Sequence, residues 1–529
     1  MLETARSRRG MVTAPHRLAA DAGLDVLKAG GTALEAAVAT AAALAVLYPH
    51  MTGIGGDAFW LVAEPGRPPV AIDACGRAAA AADLDFYREA GVSRVPERGP
   101  LAINTVAGAV SSWAAALSLS GRVAKPLGLP KLLEAAVHYA ESGIPVTRSQ
   151  SETTREKMDA LYAQPGFGEV FMPDDEVPAE GALLKQPALA ESLTQLAEAG
   201  LEDFYFGDLA AMIGDDLERL GAPLSRADLA HHRAAITDAL SCRVSGATLY
   251  NTAPPTQGVS SLMILGLFDR LKVAQGESFD HIHGLVEATK QAFMVRDRYV
   301  GDPALMPIEA DELVTDGILD ALAARIDREQ ALPWPHAGQP GDTVWLGVID
   351  SAGRAVSMIQ SIFYEFGSGV VLPQSGILWQ NRGSSFRLAS GGWNALRPGR
   401  KPFHTLNPAM ALFDDGRHMV YGTMGGEGQP QTQAAIFSRY GLYGMPLQQA
   451  VTAPRWLLGR TWGEGSVGLK LEDRFAPELV EALAAAGHNV EVVAPFTALM
   501  GHAGALVRHP DGGLEGASDP RSDGTVAAW

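Results

Sequence analysis

Apolar residues recur at helical spacing through LAADAGLDVLKAGGTALEAAVATAAALAVLYP, which reads as one helix closed by Gly30 and Gly31 and a second opened by Thr32 and stopped before Pro49. Alanine-rich faces would let the two pack closely. Alternation then takes over: HMTGIGGDAFWLVAE is a glycine turn feeding a strand, and PPVAIDACGRAA a second strand running to Arg77. From about 106 to 221 the helical period returns, with LPKLLEAAVHYAESG and KQPALAESLTQLAEAG ended by glycines, and predicts an α layer. Strands follow at CRVSGATLYNTAP, then a helix after Thr256, Gln257 and Gly258 and a long helix through HIHGLVEATKQAFMVRDRYVGDP.

Beyond Thr343 the texture changes to short alternating strands, VWLGVID, RAVSMIQSIF, GVVLP and GILWQ, the first two joined by a DSAG hairpin turn. Helices are expected at TQAAIFSRYGLYG and APELVEALAAAGH, and a strand pair around ALVRHPDGGLEGAS closes the chain. Strands and helices interleaved in both halves predict one sandwich of sheets covered by helices. Only the stretch before Thr343 has the composition of a boundary.

At 529 residues and 47% hydrophobic content the chain buries a large core, and its formal charge of −18 argues against nucleic acid or an anionic membrane as partner. Small molecules are the expected ligands, and an anionic one would need locally placed arginines to overcome the overall field. The longest apolar stretch, 36–48, is well short of the roughly 20 residues that span a bilayer and reads as a buried helix. The N-terminal MLETARSRRGMVTAPH has no apolar signal region after its positive charges, so a cytoplasmic protein is expected. Cys75 and Cys242, far apart and outside any CxxC, are expected as reduced, buried thiols.

The point richest in chemistry is Asp342-Thr343, where PWPHAGQPGD runs into TVWLGVID. A threonine hydroxyl there can attack the preceding carbonyl, and cleavage would free an α-amine of pKa about 7.7–8.0 to serve as its general base. Threonine is also an ordinary first residue of a strand. Other motifs are missing: GIGGDAF lacks the dinucleotide spacing and a Walker lysine, no HExxH occurs, and FGSGV is not a nucleophile elbow. His281 and His283 read as surface or helix-capping groups, and neither a metal nor another cofactor is implied. Gly425 and Gly426, after HMVYG, are either a tight turn or a pair of amide donors for an oxyanion. Arg77 in CGR and Arg382 in NRG are either surface arginines or grips for a carboxylate.

Together, HMTGIGGDAF, NTAPPTQGVSSLMILGLFD, EATKQAFMVRDRYVGDP, the block from DTVWLGVID to WQNRGSSF, KPFHTLNPAM, YGTMGGEGQPQTQ and GASDPRSDG resemble the γ-glutamyltranspeptidase family of N-terminal-nucleophile hydrolases over nearly the whole chain. The resemblance implies an α/β (α+β) fold, a four-layer αββα sandwich formed as one domain by two autoprocessed chains, 1–342 and 343–529, cut between Asp342 and Thr343. These chains would stay associated; pairing into dimers is left open. Thr343 matches the catalytic threonine, Ser361 the hydroxyl that bonds its amine, and Gly425 and Gly426 the oxyanion pair. Thr405 matches one of two adjacent serines that hold the substrate carboxylate, His404 replaces the other, and Arg77 falls near the family's carboxylate-binding arginine.

The departures bear on substrate. The aspartate that grips an α-ammonium falls at Ser385, a glutamine at Arg382 and a pocket asparagine at Phe363, a change that favours a plain carboxylate over a zwitterionic amino acid. TVW, QSIFYEFGSGVVLP, WQNRG and GGEGQPQTQ are similar to the oxamate-hydrolysing branch of the family. The resemblance thus implies an amidohydrolase for a small carboxylate-bearing amide, with oxamate giving oxalate and ammonia. A glutathione hydrolase, γ-glutamyltransferase or acylase is the alternative within the class, and a non-processing anion-binding relative the alternative outside it. Trp345, Phe363 and Trp379 either line the pocket or fill the core, and the core is the expectation for each.

Overall fold

The computed structural model describes residues 3–121, 125–334, 342–459 and 467–529. Most of the proline- and glycine-rich stretch before Thr343, 335–341, lies outside them.

The helices Arg17–Lys28 and Ala33–Leu47 form as the pattern predicts. Thr32 caps the second: its hydroxyl accepts the Glu35 N–H while the Glu35 carboxylate takes the Thr32 N–H. Every residue of that helix is buried, and small side chains make this possible. At Gly23 of the first helix a Cβ would lie 2.1 Å from the Thr40 hydroxyl of the second.

Two seven-stranded antiparallel sheets form the centre. One runs Thr525–Ala528, Gly10–Ala14, Asp342–Asp350, Ala355–Phe363, Asp57–Ala63, Val70–Asp73, Ala235–Asp238. The other runs Ala5–Ser7, Leu514–Ser518, Ala503–Arg508, His418–Thr423, Ala409–Phe413, Ala247–Asn251, Leu240–Val244. Met11, Leu61, Ile349, Met410, Val420 and Leu506 pack between the sheets. The outer face of the first sheet is covered by the early helices, and that of the second by Gly258–Leu271, Phe279–Tyr299 and Gly428–Phe437. The result is the expected αββα sandwich.

Trp345 locks the two sheets together. Its indole lies in a slot made by Gly347, Gly422 and Gly504, where added Cβ atoms would fall 2.8, 2.3 and 2.6 Å from the ring, and its Nε1 donates to Ser357 Oγ at 3.0 Å. Gly422→Ala is expected to cost about 1–3 kcal/mol by overpacking, seen as a lower denaturant midpoint; an unchanged midpoint would mean that the slot is loose. Trp379, with Nε1 donating to the Thr105 carbonyl, also fills the core.

Several expectations need correction. GVVLP and GILWQ are not strands but buried loops joined by the single bridge Val371 to Leu378, because Gly369 and Gly376 turn the backbone at φ +73° and +66°. The strand expected to reach Arg77 ends at Asp73, whose Oδ1 takes the Cys75 N–H and turns the chain. His281 and His283 are buried rather than on the surface. Ser278 caps their helix; His281 Nδ1 accepts the Glu277 N–H, while the His283 ring bonds His488 and the Asp327 carbonyl. Cys75 and Cys242 are buried free thiols, as expected. Among the described residues no helix is long and apolar enough to cross a membrane.

Buried histidines set an acid limit on stability. Burial holds His16 and His502 down at about 4 and His232, His281 and His488 down at about 3. Each is neutral in the fold but takes a proton in the unfolded chain below about 6.5. Stability is therefore full above 6.5 and lost as pH falls toward 3–4, by up to about 1.4 kcal/mol per pH unit and group. Asp57, pushed up to about 7, runs the other way between about 4 and 7. A lower thermal midpoint at pH 5 than at pH 7 is expected; an equal or higher one would contradict these shifts.

Candidate active site

Antiparallel pairing brings the start of one strand beside the end of its neighbour, and the predicted site residues other than Arg77 gather at one such end of the sandwich. Thr343 is the second residue of Asp342–Asp350 and is 1% exposed. Asp342 pairs with Phe363 and Val344 with Gln360, so Thr343 alone faces Ser361 and Ile362 across a bulge. Ser361 pairs in turn with Asp57, the first residue of the next strand. The Ser361 hydroxyl accepts the N–H of Phe363 at 2.8 Å, steadying a residue held at φ +82°, where a side chain is strained.

From the other sheet, His418–Thr423 leads into Gly425 and Gly426 at φ +114° and +48°. The Gly425 carbonyl accepts from Gly428 N at 2.7 Å and the Gly426 carbonyl from Gln257 Nε2 at 2.8 Å. Among the described residues neither glycine N–H donates to a protein acceptor. The pair is therefore held through its carbonyls with both donors available.

Polar side chains that the sequence reading did not single out tie these parts together. Gln429 Nε2 lies 3.5 Å from Thr343 Oγ1, and its Oε1 accepts from Asn407 N at 3.2 Å and Asn407 Nδ2 at 3.1 Å. Asn407 Nδ2 also reaches the Thr405 carbonyl at 3.0 Å, as does Gln257 Nε2 at 2.7 Å. Arg296 holds both Gln257 Oε1 and Glu427. All lie within the stretches NTAPPTQG, EATKQAFMVRDR, KPFHTLNPAM and GGEGQPQTQ, which was the available signal.

Arg382 is buried and lies over the ring of Phe363, guanidinium carbon to ring centre 3.6 Å. Its Nη2 donates to Thr405 Oγ1 at 3.3 Å, whereas among the described residues Nε and Nη1 have no hydrogen-bond partner. Burial draws its pKa down to about 10, with Asp57 opposing, so it is a cation at neutral pH. Beneath it Asp57 Oδ1 accepts from Gly76 N, Gly108 N and Gln380 Nε2, and Oδ2 faces His404 Nε2 at 3.1 Å. Burial pushes Asp57 up to about 7 against the pull of these donors and Arg382, and holds His404 well below its usual value.

The remaining candidates lie around this centre. His404 points to Asp57, with Nδ1 taking the Leu406 N–H, so it backs Thr405. Ser385 ends the short helix Arg382–Ser385 and accepts from Asn394. Arg77 is elsewhere: its side chain is 55% exposed and donates to the Gly399 carbonyl.

Among the described residues two clusters have ligand-type atoms close enough for a metal, Asp57 with Cys75 and His404, and His283 with Glu287 and His488. In the first, Asp57 already accepts its N–H donors, and the Cys75 thiol is pushed well above its ordinary range by burial and by Asp57. In the second, Lys290 and Leu332 N occupy the Glu287 carboxylate. Hydrogen bonding accounts for both.

A nucleophile candidate, a glycine donor pair and a buried arginine at one end of an αββα sandwich agree with a match of the γ-glutamyltranspeptidase family model to residues 19–529. The chain belongs to the γ-glutamyltranspeptidase family. It is similar to the oxamate amidohydrolase proenzyme of Klebsiella pneumoniae, with 52% identity over 524 residues covering 99% of each chain. It is 41% identical over 519 residues to the glutathione hydrolase-like YwrD proenzyme of Bacillus subtilis, covering 98% of each. Among solved structures it is similar to the cephalosporin acylase of Bacillus halodurans, with 33% identity, a TM-score of 0.91 and coverage of 100% of this chain and 97% of that one. As a member of this family the chain is an amidohydrolase of the N-terminal-nucleophile class.

Proposed function

We propose that the chain cuts itself between Asp342 and Thr343 and that the freed threonine hydrolyses a small carboxylate-bearing amide, oxamate first, to oxalate and ammonia. The observation that carries this reading is Arg382, a buried cation beside Thr405 with two nitrogens that have no hydrogen-bond partner among the described residues. A buried guanidinium with no carboxylate hydrogen-bonded to it is costly unless a ligand supplies one. Oxamate joins a primary amide directly to a carboxylate, so a carboxylate on Arg382 and Thr405 would leave the amide for the threonine.

Thr343 Oγ attacks the amide carbon while its proton passes to the threonine's own α-amine. The carbonyl oxygen becomes an oxyanion held by the Gly425 and Gly426 N–H groups. Collapse breaks the C–N bond, the proton goes to the leaving nitrogen, and ammonia departs. Water then attacks the threonine ester with the same amine as base, releasing oxalate and restoring the hydroxyl. Gln429 orients the threonine from its far side. The two chains of the cut protein stay associated because each sheet draws strands from both sides of Thr343.

The purified protein should release oxalate and ammonia from oxamate in equal amounts. Efficient turnover of a γ-glutamyl anilide with none of oxamate would replace this substrate by the γ-glutamyl group.

A further inference from the structure

A cavity of about 480 Å³ lined by Cys75, Arg77, Val106, His232, Arg233 and Lys401, among others, collects cations in a chain whose formal charge is −18. Arg77 uses Nη1 on the Gly399 carbonyl, with Asp302 Oδ2 4.0 Å from the same nitrogen, and among the described residues its Nε and Nη2 make no hydrogen bond. Arg233 lies on the Phe206 ring at 4.0 Å and, among the described residues, hydrogen-bonds only through Nη1, on the Ala230 and His232 carbonyls. Lys401 is held by Asp73 at 2.6 Å. Asp228 is the acid in the described lining, and its oxygens are occupied by Ala80 N and by Ser225 N and Oγ. The buried His232 ring is kept neutral and Lys401 is paired with Asp73, so the donors left open to the cavity are those of the two arginine forks.

We propose that this cavity binds a small dianion, its oxygens shared between the forks of Arg77 and Arg233. Two sources fit that chemistry: oxalate, which rests on the reaction proposed above, and inorganic phosphate, which does not. Planar guanidinium groups suit paired oxygens, and two of them select a dianion over a monoanion. Cys75, in the wall of this cavity, also neighbours Asp57 and His404.

The test is equilibrium titration of the full-length protein with oxalate, with inorganic phosphate and with acetate as monoanion control, at fixed ionic strength. One of the dianions should bind wild type and Arg382→Met alike, and about tenfold or more weakly to Arg233→Ala and Arg77→Ala. Both arginines are exposed, so these variants should keep the wild-type melting profile. Tighter binding of oxalate would make the reaction product the occupant; tighter binding of phosphate would make it a phosphate site. Absence of dianion binding to wild type would overturn the proposal. So would binding abolished by Arg382→Met and untouched by Arg233→Ala, which would place the anion in the active site. Failure of oxamate turnover would sink the reaction reading while leaving the phosphate titration to stand or fall alone.

Discussion

Thr343→Ala is expected to remain a single 529-residue chain with amide hydrolysis lowered by on the order of 10⁴-fold or more. The effect is this large because one oxygen serves twice, attacking the Asp342 carbonyl during maturation and the substrate in every turnover. Its surroundings are built for one position: Thr343 is buried, faces two residues across a bulge, and is approached by Gln429 at 3.5 Å. Thr343→Ser keeps the hydroxyl and is expected to cut, with reduced activity. An uncut yet active alanine variant would refute the threonine mechanism, and denaturing electrophoresis beside an ammonia assay reads both properties.

Arg382→Met is the second large effect, and it should fall on substrate choice. Charge-assisted bonds to a carboxylate contribute about 1.5–3 kcal/mol, so kcat/KM for oxamate should drop by roughly 10- to 150-fold. A neutral primary amide of similar size should lose little, which separates a lost carboxylate grip from general damage. Methionine can still cover Phe363 and removes a buried cation that has no carboxylate bonded to it among the described residues, so stability should be kept. Equal losses for charged and neutral amides would assign Arg382 to packing.

Much of this was legible in the chain because local physics and burial agree there. The paired alanine-rich helices, the DSAG hairpin and the glycine pair after HMVYG follow from period, turn chemistry and backbone freedom. GVVLP and GILWQ misled because a buried apolar run looks like a strand whether or not it finds a pairing partner. Local sequence is equally silent on which arginine is buried. Arg382 is enclosed by Phe363 and Thr405, which are remote from it in sequence, while Arg77 lies four residues past a strand end and faces solvent. Asp57, Gln257, Asn407 and Gln429 were hidden for a similar reason. Each is an ordinary polar residue in a loop or at an element's end, and becomes informative only when the fold buries it and counts its hydrogen bonds.

The most direct test of the central claim is the intact mass of the freshly purified wild-type protein under denaturing conditions. Two chains meeting at Asp342 and Thr343, the smaller beginning with an unblocked threonine, are the predicted result. A single full-length chain that nonetheless hydrolyses oxamate, or a cut at any other peptide bond, would contradict it.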